Sequence, residues 1–155
     1  GNMIGFRFAT AFGISPRLRL DLMPNDFVFQ ALRVGNLIVY QKDVRRTFVH
    51  VTDMARAFIH AIENYDRMKN EIYNVGDESM NATKEDVANL VKKYVKFYLH
   101  FAEIGTDPDM RDYEVSYQKM RSTGYQTQVS LDEGIQEIVS ALKLVKQENP
   151  YSNVM

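Results

Sequence analysis

Two adjacent arginines, Arg45 and Arg46, stand in the stretch YQKDVRRTFVHVTDMARA, residues 40–57, directly before an apolar run. A guanidinium is a planar fork that donates two hydrogen bonds at once, which suits a diphosphate. A further arginine, Arg111, lies in the polar run DPDMRDY ahead of another strand-like segment. Arg46 and Arg111, brought from separate loops, would make a pyrophosphate grip. On spacing alone, two solvated loop arginines are the commoner alternative. Asn25, after Pro24 at a helix start, either caps that helix or turns its amide to a ligand at the positive helix end.

Other chemistry is sparse. The three histidines, His50, His60 and His100, are far apart, and none has metal-ligand spacing with a carboxylate. No metal site is expected, and His60 reads as a packing or surface residue. The chain has no cysteine, which removes disulfides, thiolate catalysis and cysteine metal sites. It contains no G-x-S-x-G, no Walker loop and no G-x-G-x-x-G. On residues alone it is not a complete enzyme of any common class.

The 155 residues suffice for one domain with a real core. A net charge of −1 gives no electrostatic reason to expect nucleic acid or an acidic membrane as partner. No apolar run approaches a membrane span, and no basic region followed by an apolar one predicts a signal peptide. A cytoplasmic location is expected.

The elements that must position the candidate residues follow from periodicity. Ile4–Phe8 alternates as a strand, Gly13–Pro16 is a turn, and MPNDFVFQALRVG is a helix stopped by Gly35. NLIVY and TFVHV are strands. The helix TDMARAFIHAIEN is capped by Thr52 or Asp53, with Met54, Ala57, Phe58, Ala61 and Ile62 as its buried stripe. EIYNVG is a strand. Thr83 with Asp86, and Ser130 with Glu133, are capping boxes opening two further helices. KFYLHFAEI is a strand between those helices, and YEVSYQKMRSTGY is a short strand and short helix ending at Gly124. Helices mixed with strands predict an α/β or α+β domain. The chain enters a strand near Met3 at once, which suggests a start in the middle of a larger fold.

Four runs, in order, carry a resemblance. RFATAFGISPRLRLDLMPNDFVFQAL is similar to the family segment LRFATVFGPSPRMRLDLVVNDFV. RRTFVHVTDMARAFIHAIE resembles R-P-F-I-H-V-x-D-x-A-R-A. EIYNVGDESMNATKEDVANLV resembles x-x-Y-N-V-G followed by T/S-I-x-E-x-A. DPDMRDYEVSYQKMRSTGYQTQVSLDEGIQEIV resembles R-D-Y-x-V-S-x-x-K-x-x-x-L-G-F and its final helix. Together they resemble the C-terminal half of the extended short-chain dehydrogenase/reductases, the family of NAD-dependent nucleotide-sugar epimerases and dehydratases.

The resemblance implies a fold class and a role. The fold would be α/β: the C-terminal part of an extended, Rossmann-like fold, with the last strands of the parallel sheet plus a small mixed α/β substrate-binding domain. Residues 1–155 would be that C-terminal substrate-binding region. The Rossmann half, with its glycine-rich loop and catalytic Tyr-x-x-x-Lys, lies upstream in the family. Tyr65 and Lys69 have the catalytic spacing, far from the family position. No catalytic residue is therefore expected in this chain. NAD or NADP would serve the full-length enzyme and would not be held by this chain alone. The partners implied are a nucleotide-diphosphate sugar and the N-terminal Rossmann half, with self-association through surfaces left uncovered. The alternatives are a non-catalytic split or decayed binding module, and a deoxysugar ketoreductase of the same fold.

Site residues carry over by position. Phe8, Ala9 and Thr10 would face the nicotinamide end of the cofactor, and Thr10 takes the place of a sugar-contacting Asn. Asn25 and Arg46 match diphosphate contacts, and Arg111 matches the second diphosphate arginine. Val39 and Tyr40 would line the base pocket, Arg45 would be solvated or auxiliary, and Asp53 would cap its helix. Three departures stand out. Gln41-Lys42-Asp43 replaces a glycine-rich turn, so the backbone there is expected to differ. Thr10 replaces the Asn, and Thr123 replaces a Leu, which is expected to loosen the short helix before Gly124.

Overall fold

The computed structural model describes residues 1–103, 105 and 112–145. Strand β1 (Gly5–Phe8) is followed by β2 (Thr10–Phe12), helix α1 (Met23–Arg33), β3 (Asn36–Tyr40) and β4 (Arg45–His50). Helices α2 (Val51–Glu63) and α3 (Tyr65–Met68) lead to β5 (Ile72–Val75). A 3-10 turn (Glu78–Met80) precedes β6 (Asn81–Thr83), α4 (Lys84–Tyr94), β7 (Tyr98–Ala102), α5 (Gln118–Arg121) and α6 (Leu131–Leu144).

The strands form three small sheets: β1 with β5, β2-β4-β6, and β3 with β7. Every pair is parallel except β4 with β6. Parallel pairs need long crossovers, and the chain supplies them as helices. Two apolar cores result. The larger joins α1, α4 and α6 to the inner faces of β3, β4 and β6, through Val28, Leu37, Phe48, Val87, Ile135 and Ile138 among others. The smaller lies beneath β1 and β5, where Val49, Ala57, Met68, Tyr73, Val75 and Met120 pack together.

Local signals explain most elements. Thr83–Asp86 and Ser130–Glu133 both form complete capping boxes. Each satisfies two backbone amides that the helix leaves without intrahelical partners. Gly35, beyond α1, takes φ +77, as a helix stop requires.

Three expectations are corrected. The cap of α2 is His50, whose Nδ1 accepts from the Thr52 amide at 3.3 Å; neither Thr52 nor Asp53 caps it. The apolar stripe of α2 is only half inward: Ala57 and Ala61 are buried, whereas Phe58 is 52% and Ile62 76% exposed. The described part of residues 113–117 is not a strand; its groups pair with side chains, as when the Glu78 carboxylate accepts from the Tyr117 amide at 2.8 Å. The strands β2 and β6, three residues each, are too short to show a period.

Thr123 links the end of α5 to its surroundings through its hydroxyl. The Thr123 hydroxyl donates to Met120 O at 2.7 Å and accepts from His60 Nε2 at 2.9 Å, a hydrogen-bonded link to α2. Among the described residues, no helix is long and apolar enough to cross a membrane.

Candidate functional site

One cavity, of about 340 Å³, lies between the N-terminal half of α1, strand β3, and the start of β4 and α4. Thr10, Val39, Tyr40 and Arg46 line it. Four of the residues singled out in the sequence therefore meet at one place. Phe27, Leu37, Val39 and Phe48 supply apolar wall, and Asp26, Gln30 and Lys84 supply polar groups.

Arg46 is only 4% exposed. Its position follows from the antiparallel pairing of β4 with β6, where Arg46 stands opposite Ala82. One guanidinium nitrogen donates to Arg45 O at 2.9 Å, and the group sits 5.9 Å from the Tyr113 ring centroid. Arg45 points the other way, half exposed, and pairs with Glu114. Its backbone amide donates to Asp112 Oδ1 at 2.9 Å. The two arginines thus divide the work: one turned into the cavity, one tying β4 to the segment after residue 111. Arg111 itself lies outside the described residues.

Lys84, which the sequence reading did not single out, also lines the cavity. It is 4% exposed, and its ammonium donates to Tyr40 O at 3.1 Å. A signal was present. Lys84 is the first residue of α4, where the helix dipole disfavours a cation.

Asn25 is 2% exposed and outside the cavity lining. Its Oδ1 accepts from the Gly13 amide at 3.2 Å, and its Nδ2 donates to Arg19 O at 2.8 Å. Neither sequence reading describes this. Asn25 is not the cap, which is Leu22 without a side-chain bond, and both ends of its amide hold the loop before α1. Phe8 and Ala9 also stand apart from the cavity. Phe8 packs in a ring cluster with Phe6 and Phe58, at 5.5 Å from each centroid.

The turn after Tyr40 has a left-handed residue that is not glycine. Gln41 has φ +51, and its carbonyl accepts from the Val44 amide at 3.1 Å. Gln41 carries the strain of that conformation. Relief of that conformation is worth about 1–2 kcal/mol, against about 0.5–1 kcal/mol for the greater freedom of an unfolded glycine. Gln41→Gly is therefore expected to raise stability by up to about 1 kcal/mol, seen as a higher urea midpoint at unchanged slope. A lower midpoint would show that the Gln41 side chain holds the turn.

Asp26 and Gln30 form an i,i+4 pair on the α1 face that lines the cavity. Gln30 Nε2 donates to Asp26 Oδ2 at 2.7 Å. Burial pushes the Asp26 carboxyl above its ordinary range, with the Gln30 bond opposing. The neighbouring Asp21 is engaged by Arg19 through two hydrogen bonds.

Tyr65 and Lys69 do not line this cavity. Lys69 is paired with Asp66 at 3.0 Å. Phe8 and Ala9 are partly buried and pack against the smaller core. Among the described residues, no group of three or more His, Asp or Glu side chains is placed to hold a metal ion.

The cavity and the parallel α/β scaffold define a class of fold with known relatives. Residues 2–76 match the model of the NAD dependent epimerase/dehydratase family. Among solved structures, the chain is similar to UDP-glucose 4-epimerase from Thermotoga maritima, with TM-score 0.74 and 22% identity over 91% of this chain and 46% of that one. It is also similar to dTDP-glucose 4,6-dehydratase from Bacillus anthracis, with TM-score 0.72 and 22% identity over 91% and 44%. UDP-glucuronic acid 4-epimerase from Bacillus cereus gives TM-score 0.75 and 20% identity over 92% and 46%. The fold is therefore the Rossmann-like one of the extended short-chain dehydrogenase/reductases. The chain spans somewhat under half the length of these structures.

Proposed function

We propose that this chain is the substrate-binding portion of an NAD(P)-dependent nucleotide-sugar epimerase or dehydratase, inactive alone. The observation that carries the reading is the meeting of two buried cations, Arg46 and Lys84, in one cavity with an apolar slot. A diphosphate suits two such cations, which can donate several charge-assisted hydrogen bonds to it, and the slot between α1 and β3 suits a flat base. Thr10, Val39 and Tyr40 are the remaining contacts at that cavity, and Arg111 is the second diphosphate arginine. Asn25 acts by holding the loop before α1.

The transient oxidation of the sugar belongs to the whole enzyme. Its NAD(P) and its tyrosine base are assigned to a Rossmann half that packs on β1, β5 and α2. Two features support that partner. In the structure the second edge of β1 pairs with no described strand, and an open strand edge offers a row of backbone groups for a further strand to pair with. Phe58, Ile59, Ile62 and Ile72 also stand at least half exposed around it. A cytoplasmic location suits such an enzyme.

Calorimetric titration with UDP, dTDP and GDP tests the reading. Binding is expected, with affinity falling at least about tenfold for Arg46→Ala, the usual scale for a lost charge-assisted hydrogen bond. A similar fall is expected for Lys84→Ala. Binding that both variants leave unchanged would move the diphosphate elsewhere, and no binding by any nucleotide would overturn the reading for this chain.

A further inference from the structure

The sequence reading left the base unassigned, and the cavity carries an inference about it. Resting on the nucleotide reading above, we propose that the Asp26–Gln30 pair on α1 selects guanine, so that the substrate is a guanosine-diphosphate sugar.

The argument is one of donors and acceptors. The cavity has two polar regions: the cations Arg46 and Lys84, and the Asp26–Gln30 pair. The cations suit the diphosphate, which leaves the α1 pair for the base. The hydrogen bond from Gln30 Nε2 to Asp26 Oδ2, at 2.7 Å, fixes the carboxylate and uses one of its lone pairs. What remains on this wall is acceptor-rich: Asp26 Oδ1, the second lone pair of Oδ2, and Gln30 Oε1. Asp21 does not compete, because Arg19 engages both of its oxygens.

The bases present different edges to such a wall. Uracil and thymine carry one N–H flanked by two carbonyls, so a carboxylate that accepts the N–H meets at least one carbonyl oxygen. Adenine and cytosine each set an amino donor beside a ring-nitrogen acceptor. Guanine alone has two adjacent donors, N1–H and the 2-amino group, which one carboxylate accepts as a fork. Its O6 then takes the second N–H of Gln30. A partly desolvated carboxylate strengthens this choice, because a base lacking the donors leaves the lone pairs that Gln30 does not use unmatched. Leu37 and Val39 provide apolar surface beside the pair.

The test is calorimetric titration of GDP, UDP, dTDP and ADP against the wild type, Asp26→Asn and Arg46→Ala. In the wild type, GDP is expected to bind at least about tenfold tighter than the others. Asp26→Asn keeps the size and the helix but offers one acceptor and a donor. It is expected to weaken GDP about 10- to 100-fold, the range for charge-assisted hydrogen bonds, and to change UDP by less than about threefold. Arg46→Ala is expected to weaken all four alike, and far-ultraviolet circular dichroism checks that both variants stay folded. UDP or dTDP binding as tightly as GDP would overturn the guanine assignment and leave the nucleotide reading standing. Asp26→Asn weakening every nucleotide equally would do the same. Absence of binding by all four would overturn the nucleotide reading, and the assignment with it.

Discussion

Asp53→Ala is expected to remove about 3 kcal/mol or more of stability, a large share of the roughly 5–15 kcal/mol that holds a domain of this size. Asp53 has no exposed surface. Its Oδ1 accepts from the Gln128 amide at 3.1 Å and from Arg56 at 2.9 Å, and its Oδ2 accepts from the Val129 amide at 3.0 Å. The Tyr125 hydroxyl donates to the Asp53 carbonyl at 2.7 Å. This one residue ties α2 to the segment leading into α6. Alanine would leave two backbone amides without acceptors, at about 1–3 kcal/mol each. Arg56 is partly solvated and adds little. Asp53→Asn retains one acceptor and should cost less, and Tyr125→Phe should cost about 1 kcal/mol. Urea unfolding at constant slope measures all three. A loss under about 1 kcal/mol for the alanine variant would show that other groups hold the 128–129 segment.

This clamp also shows why part of the structure was hidden in the sequence. Asp53 beside Thr52 at a helix start reads as a cap, because caps are local and a single chain segment displays them. The Gln128 and Val129 amides that its carboxylate accepts lie more than seventy residues away, and no local pattern records that. The same holds for Lys84 and for the Asp26–Gln30 pair, which gain meaning only when β3 is laid beside α1 and α4. Elements with local signals were legible. The two capping boxes and the Gly35 stop followed from spacing. The arginine pair was legible in part: chemistry pointed to Arg46, while only the pairing of β4 with β6 shows which of the two turns inward.

The misread stripe of α2 leads to the second large effect. Phe58 and Ile62 follow helical spacing toward a core, and yet they face outward with Ile59. Phe58 meets the rings of Phe6 and Phe8 at 5.3 and 5.5 Å, so the apolar surface runs from the helix onto β1. Covering a large apolar side chain is worth about 1.5–3 kcal/mol. Several such side chains on one face favour association at ordinary protein concentrations. The isolated chain is expected to sediment as a dimer or larger species at about 100 µM. Ile62→Lys should shift it toward monomer with little change in melting temperature, since that side chain is 76% exposed in the chain itself. A wild type that sediments as a monomer at that concentration would sink the idea.

The pairing of β1 with β5 bears on how the protein is made. Phe8 lies beside Val75, so the first strand has no described neighbour until 67 further residues have been joined. At about 5–20 residues per second, that is roughly 3–13 seconds of synthesis. During this interval Phe6 and Phe8 lack the strand beneath which they pack. The nascent chain therefore passes through a period in which a chaperone, or a folded segment already at hand, would have its greatest influence on yield.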